Sequence, residues 1–189
     1  MELIQAIKER RSIRRFKAEP VPRALLEKII KEAMWAPSAM NTQPWKFFVL
    51  TGAPKDRLIA ITGRSLAKLD IRLKALFKEN MITLVHSYFK DYGGAPAVVV
   101  VLTKEPETEG YMVGSYQSAA AALQNFLLLC HEAGLGTCWM TGPSWVEDEI
   151  LALLDHSKGW RLLALTPVGY PDQTPPVPPR KHEDIIWLD

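Results

Sequence analysis

The chain contains few residues of the types that build metal sites or disulfide frameworks. Cys130 and Cys138 are the only cysteines among 189 residues, and there are four histidines. The two cysteines form no C-x-x-C pair and have no metal-ligand spacing with the histidines, so we predict no structural zinc. One disulfide between them remains open, although reduced thiols in a cytoplasmic protein are the better prediction.

The chain also lacks an excess of one charge and a long hydrophobic run. Lysine and arginine total 23 against 21 acidic residues, a formal net charge of +2. This balance does not favour nucleic acid or a membrane surface as the partner. The longest apolar run, Ala95 to Leu102, is far too short to span a bilayer. No apolar region follows the charged N-terminal residues as in a signal peptide.

The remaining composition is that of a folded globular chain, 48% hydrophobic and 23% charged. Its length predicts one domain over residues 1–189. Hydrophobic periodicity predicts helices over about 2–10, 22–36, 54–61, 66–89, 114–133 and 146–154, and strands over 45–50, 97–103, 135–140 and 160–168. Strict β-α-β alternation and an early G-x-G-x-x-G are both missing, which disfavours a dinucleotide-binding Rossmann domain. We predict an α+β fold with a central sheet flanked by helices.

A basic segment follows the first predicted helix. Arg10, Arg11, Ser12 and Arg14 concentrate guanidinium groups around a hydroxyl. In an extended chain Arg10, Ser12 and Arg14 share one side, and arginine gives bidentate, permanently charged contacts to phosphate. The alternative is a solvated basic face that complements the dipole at the helix C-terminus.

A second segment combines small polar side chains between two prolines, Pro37 and Pro44. Ser38, Asn41 and Gln43 offer the donors and acceptors that the polar edge of a flat heterocycle requires. The alternative is an ordinary loop between a helix and a strand, because proline, serine and asparagine are common loop residues. Together the two segments suggest a phosphorylated ring cofactor, with FMN as the candidate.

The C-terminal tail, about 171–189, holds five prolines and cannot form a regular element. Arg180 and Lys181 follow the last of these prolines. This cationic pair would suit closure over a phosphate, and the alternative is a solvated tail.

These motifs carry a resemblance to the nitroreductase family of FMN-dependent oxidoreductases. The chain resembles it in R-R-S-x-R-x-F, P-S-x-x-N-x-Q-P-W, the alanine-rich helix, Gly134 to Met140 and the terminal G-Y-P with R-K. The resemblance implies a mostly antiparallel or mixed sheet and an intertwined homodimer that binds FMN in two clefts at the interface.

The resemblance also assigns roles to residues. Arg10, Ser12 and Arg180 would bind the phosphate, with Arg11 in the same motif and Lys181 a weaker candidate. Arg14 would lie beside the flavin pyrimidine. The loop with Pro37, Ser38, Asn41 and Gln43 would reach the same flavin from the other subunit. Met140, Thr141 and Gly142 would form the turn whose backbone N–H approaches flavin N5.

The implied activity is hydride transfer from NADH or NADPH through flavin N5 to a flat electrophile such as a nitroaromatic or quinone, with ping-pong kinetics. The flavin carries the chemistry, so no catalytic protein residue is predicted. Residues 53–95 are either a substrate lid or a surface coat, and they do not match the lid of the dehalogenating relatives. Flavin ring cleavage, heterocycle dehydrogenation and a non-catalytic FMN-binding module remain the alternatives.

Overall fold

The computed structural model describes residues 1–180 and 185–188 of the chain. The described residues form a sheet of four strands in the order β1-β2-β4-β3, with every neighbouring pair antiparallel. The strands are β1 (Trp45–Thr51), β2 (Ala97–Lys104), β3 (Gly136–Thr137) and β4 (Trp160–Gly169). The prediction of a mostly antiparallel sheet is therefore confirmed.

Helices cover both faces of this sheet. They are α1 (Leu3–Glu9), α2 (Arg23–Ala33), α3 (Gly52–Gly63), α4 (Leu66–Leu76), α5 (Glu79–Asp91), α6 (Met112–Glu132) and α7 (Glu147–Leu153). Short 3-10 turns occur at Ala39–Asn41, Tyr92–Gly94, Glu109–Tyr111 and Gly142–Val146. The α+β class predicted from the sequence is confirmed.

Strand β2 lies at the centre of the molecule because it is apolar on both sides. Its alternation sends Val99 and Val101 into one core, with Phe126 of α6. Val98 and Val100 enter the opposite core, with residues of α3, α5 and α7. A strand buried on both faces requires a continuous apolar run, which is what the valine stretch provides.

The ends of two helices follow from single residues. Gly134, with φ +75°, follows α6, and the amides of Gly134 and Leu135 donate to the carbonyls of His131 and Cys130 at 3.0 and 2.8 Å. This is the glycine cap that the sequence predicts. Helix α2 ends at Ala33, earlier than predicted, because Pro37 has no N–H to donate to the Ala33 carbonyl.

Two predicted elements differ in the structure. The helix predicted over 66–89 is two helices, because Phe77 has extended backbone angles (φ −132°, ψ 153°) and separates α4 from α5. The strand predicted over 135–140 is reduced to Gly136–Thr137 and a separate bridge at Met140. This strand lies at the sheet edge, and it pairs with β4 only over its first residues.

Within residues 1–180 and 185–188, no helix is both long and apolar enough to cross a membrane. Cys130 and Cys138 are buried free thiols.

Candidate functional site

The basic segment, residues 10–16, is an extended chain fixed by its neighbours on two sides. Ser12 forms a parallel bridge to Thr137, and the Ile13 amide donates to the Thr137 carbonyl at 2.8 Å. The Phe16 amide donates to the Gly93 carbonyl at 2.9 Å. Ile13 and Phe16 are buried in the core. The backbone therefore presents its polar side chains from a fixed position.

Gly93 allows one of these contacts. A Cβ at this position would lie 2.0 Å from the Arg14 carbonyl oxygen, and φ is +65°. Any other residue would push the turn at the end of α5 away from the basic segment.

The arginines of the basic segment do not behave alike. Arg11 turns back and donates to the carbonyls of Lys8 and Arg10 at 2.6 and 2.9 Å. It therefore caps the C-terminus of α1, as the alternative interpretation expected. Arg10 is half-buried, and burial, followed by the charges of Arg11 and Arg180, lowers its pKa. Such mutual repulsion is relieved when an anion binds among the guanidinium groups.

Arg10 and Arg11 border a cavity of about 340 Å³ beneath the proline-rich tail. Thr137, His131 and Gln173 also line it. The His131 Nε2 atom is buried without a hydrogen-bond partner among the described residues. Arg180 is close enough to lower the pKa of Arg10, whereas Lys181 lies outside the described residues.

Arg14 lies further along the basic segment and influences Cys138, the residue that follows β3. Arg14 is exposed, yet its charge opposes the burial that raises the pKa of the Cys138 thiol. Two residues on, Met140 exchanges both backbone hydrogen bonds with Leu165 of β4, at 2.9 and 3.0 Å. The Met140 N–H is thus occupied by the sheet.

Because the Met140 amide already donates to Leu165, it is not free to donate to flavin N5. Thr141 is exposed and Gly142 half-buried, at the start of a 3-10 turn. Their amides are the candidates that remain from the predicted turn.

The carboxamide loop, residues 38–43, is open and has an unusual backbone. Met40, Asn41 and Gln43 have positive φ angles of 51°, 54° and 46°, a conformation that costs on the order of 1–2 kcal/mol per residue. Its supports are the bonds from the Ala39 amide to Ser118 Oγ and from the Gln43 amide to Ser38 Oγ, both 3.1 Å. Strain of this kind is frequent where a loop serves a ligand.

The two carboxamides of the loop bind each other on the surface. Gln43 Nε2 donates to Asn41 Oδ1 at 3.1 Å. With this assignment Asn41 Nδ2 and Gln43 Oε1 point a donor and an acceptor outward, which suits the alternating edge of a pyrimidine ring.

The structure does not bring the two segments to one cavity. The carboxamide loop borders a cavity of about 690 Å³ shared with residues 104–115, including Tyr111 and Gly114. The basic segment borders the smaller cavity under the tail. Pro37 is an exposed residue before the loop.

Helix α4 lies directly against the turn that follows β3. A Cβ on Gly142 would meet Leu69 at 2.9 Å, and the Lys68 amino group stands 5.3 Å from the Trp145 ring. Asp70 of α4 contacts His86 Nε2 of α5 at 2.5 Å. The segment 53–95 thus reaches the candidate site.

Sequence reasoning missed one residue that supports the site. Ser118 lies in the alanine-rich helix, and no role was predicted for it from the sequence. The only sequence signal for Ser118 is its position four residues after Gly114, whose carbonyl accepts from its hydroxyl at 2.6 Å.

Comparison with solved structures defines the class of protein. A BluB-like flavoprotein from Clostridium difficile superimposes with a TM-score of 0.80 and 26% identity over the full length of both chains. An iodotyrosine deiodinase bound to FMN and 3-iodo-L-tyrosine superimposes with a TM-score of 0.77 and 27% identity, again over both full chains. The architecture is therefore the nitroreductase-like fold.

The nitroreductase family model matches residues 7–170, and the chain belongs to that family. YfhC of Bacillus subtilis, whose name assigns it as an NAD(P)H nitroreductase, is 30% identical over 92% of this chain and 87% of its own length. The iodotyrosine deiodinase of Thermotoga neapolitana is 32% identical over 95% of this chain and 94% of its own.

Proposed function

We propose that the chain is an FMN-dependent NAD(P)H oxidoreductase that reduces a flat electrophile such as a nitroaromatic or a quinone. The observation that carries this proposal is the cluster of Arg10, Arg11 and Arg180, which has no carboxylate partner among the described residues. Family membership and the FMN-bound relative agree with it.

The donor set of the chain fits FMN. The guanidinium of Arg10, the hydroxyl of Ser12 and the unpartnered His131 nitrogen suit a phosphate. The outward donor and acceptor of Asn41 and Gln43 suit the pyrimidine edge. When bound, FMN supplies the two-electron chemistry between the nicotinamide and the acceptor.

In this proposal the protein residues bind FMN and orient it. Arg10, Ser12 and Arg180 would hold the phosphate, and Arg14 would keep a positive charge beside the pyrimidine, where it would stabilise the reduced cofactor. Thr141 and Gly142 would offer backbone amides to N5. Helix α4 covers the turn and would limit access of water to it, so residues 53–95 act as a lid over the flavin site. Residues 1–189 form one domain that includes this lid.

The working molecule in this proposal is a homodimer. The two segments border different cavities of one chain, so one flavin meets both only where two chains come together. Apolar side chains are available for that contact: Leu3, Ile4, Trp35 and Met40 are 67%, 66%, 86% and 82% exposed.

The cofactor is tested by absorbance of the purified protein and by titration with FMN. Yellow protein, or colourless protein that binds added FMN, supports the proposal, whereas protein that does neither overturns it. Dilution to the monomer should release FMN, and a monomer that holds FMN tightly would contradict the shared site.

Turnover is tested by an acceptor screen on FMN-loaded protein with NADH and NADPH. Because both substrates use the same face in turn, double-reciprocal plots with varied nicotinamide and acceptor should be parallel. Intersecting lines would count against ping-pong kinetics.

One relative favours a second use of the flavin, and the same screen tests it together with the remaining alternatives. Release of iodide from 3-iodo-L-tyrosine would indicate dehalogenation, as the name of the 32% identical relative suggests. Cleavage of the flavin after aerobic incubation of the reduced protein would indicate a ring-cleaving activity. Bound FMN that neither nicotinamide reduces would leave a non-catalytic binding module.

A further inference from the structure

Trp145 is a large aromatic side chain that is 56% exposed, close in the chain to the turn proposed to face flavin N5. It lies in the 3-10 turn Gly142–Val146, three residues after Gly142. The turn is fixed, since Pro143 is buried and the preceding Met140 pairs with β4. An indole held open at a fixed position offers its ring face to a cation or to a flat molecule.

Helix α4 supplies a cation to that ring. The Lys68 amino group lies 5.3 Å from the centroid of the Trp145 ring. The next residue, Leu69, lies against Gly142, where an added Cβ would meet it at 2.9 Å. Two consecutive residues of α4 therefore lie against one turn. The contact with the ring limits the rotamers of the lysine side chain, so its charge has a defined place beside the turn.

The positive charge of Lys68 is not neutralised by a neighbour. An aromatic ring attracts a cation without neutralising it, and Lys68 forms no ion pair within residues 1–180 and 185–188. Three of the four carboxylates in α4 and the first turn of α7 have other partners: Asp70 contacts His86, Glu147 binds Arg161 and Glu149 binds Arg64. The fourth, Asp148, is exposed. An anion that reaches this turn therefore meets a free ammonium group.

We propose that Lys68, placed against Trp145, is a specificity-determining residue that binds a carboxylate on the flat electrophile reduced by the flavin. The inference rests on the proposed function, because it requires flavin N5 to face Thr141 and Gly142. It narrows the acceptors to flat rings that carry an anionic substituent, such as nitrobenzoates. It also gives the lid segment a role in choosing among them.

The expected selectivity is moderate because Lys68 and Trp145 are both exposed to water. An exposed ion pair gains little, whereas a charge-assisted hydrogen bond to a carboxylate gains more when a bound ring excludes part of the water. We expect a carboxylated ring to bind about threefold to tenfold more tightly than the neutral amide of the same shape. Added salt should reduce this preference.

The test measures binding of 4-nitrobenzoate and 4-nitrobenzamide to FMN-loaded protein in the absence of a nicotinamide, from the change in flavin absorbance. The two rings are nearly identical in shape and differ in charge. Lys68→Met should weaken binding of 4-nitrobenzoate about threefold to tenfold and leave the affinities for 4-nitrobenzamide and FMN unchanged. During turnover with NADH or NADPH, the same loss should appear in KM for 4-nitrobenzoate and not in kcat.

Lys74→Met is the matched control. Lys74 is exposed on the same helix and borders a cavity with Glu79 and His86. Its replacement removes the same charge from α4 and thus accounts for long-range electrostatics. Equal losses in the two variants would overturn the inference, and so would equal losses for the two rings. A change confined to KM for the nicotinamide would mean that Lys68 binds the phosphates of the dinucleotide, which would also overturn it.

Trp145→Leu tests whether the ring places the lysine. It should lower the ratio of the two affinities, 4-nitrobenzoate over 4-nitrobenzamide, and have no further effect on that ratio once Lys68 is methionine. Additive losses would overturn the role of the ring contact. Failure of the unmodified protein to bind FMN would overturn the proposed function together with this inference. FMN-loaded protein that oxidises a nicotinamide but shows no preference between the two rings would overturn this inference alone.

Discussion

The basic segment and the carboxamide loop present polar groups in opposite ways. The basic segment is extended, hydrogen-bonded to β3 and to the turn after α5, and anchored by buried Ile13 and Phe16. The carboxamide loop has three positive φ angles and exposed side chains, with Ser118 as its link to α6. The first is fixed by contacts within one chain, whereas the second leaves most of its side chains exposed.

The largest expected effect tests the rigidity of the basic segment. Gly93→Ala should lower the free energy of unfolding by about 2–5 kcal/mol, because it combines left-handed strain with a clash against the Arg14 carbonyl. Urea unfolding measures it. Gly159→Ala is the control, since φ is +72° there with nothing within 4 Å, and should cost only about 1–2 kcal/mol. Equal losses would show that the close contact adds nothing.

Arg10→Ala tests the chemistry of the basic segment. Loss of a charge-assisted contact to phosphate should weaken FMN binding about 10- to 150-fold, which corresponds to about 1.5–3 kcal/mol. Fluorescence titration measures the affinity. Arg23→Ala, which removes a guanidinium paired with Glu27 on the surface, should leave it unchanged. If the two variants bind equally well, Arg10 is not the phosphate ligand.

Ser118→Ala tests the link between the carboxamide loop and α6. The Ala39 amide would lose its acceptor, so the protein should be destabilised by about 1–2 kcal/mol. Ser87→Ala, at an exposed position of α5, controls for helix propensity and should be neutral or slightly stabilising. Thermal unfolding of both variants gives the comparison, and a neutral Ser118→Ala would mean that the loop supports itself.

Asn41→Ala has the smallest expected effect. The side chain is exposed, but the backbone has a φ of 54°, which alanine tolerates less well than asparagine, so the free energy of unfolding should fall by less than about 1 kcal/mol. FMN affinity should fall about fivefold for the loss of one neutral hydrogen bond. Gln117→Ala, exposed on α6, is the control for both measurements. A larger loss of stability with unchanged affinity would make the loop a structural element of the single chain.

The sequence predicted most of the fold because its signals are local. The valines of β2, the proline after α2 and Gly134 after α6 each act on their immediate neighbours. The break between α4 and α5 contains no glycine or proline, so no local signal marks the extended backbone at Phe77.

The sequence predicted which residue types form the candidate site, but it did not predict the role of each residue. The sequence could not distinguish Arg10 from Arg11, because only the folded chain turns Arg11 onto the end of α1. It could not show that the Met140 amide donates to Leu165, or that Ser118 supports the carboxamide loop. Those facts depend on contacts between residues far apart along the chain.

The contact between Gly93 and Arg14 also has a consequence for protein engineering. An exchange of residues 53–90 for the corresponding helices of a relative must keep the buried contacts of Leu58 and Phe89 with the core. Its downstream junction must lie before Tyr92, because the next residues contact the backbone of the basic segment. A chimera joined there would leave that backbone contact unaltered.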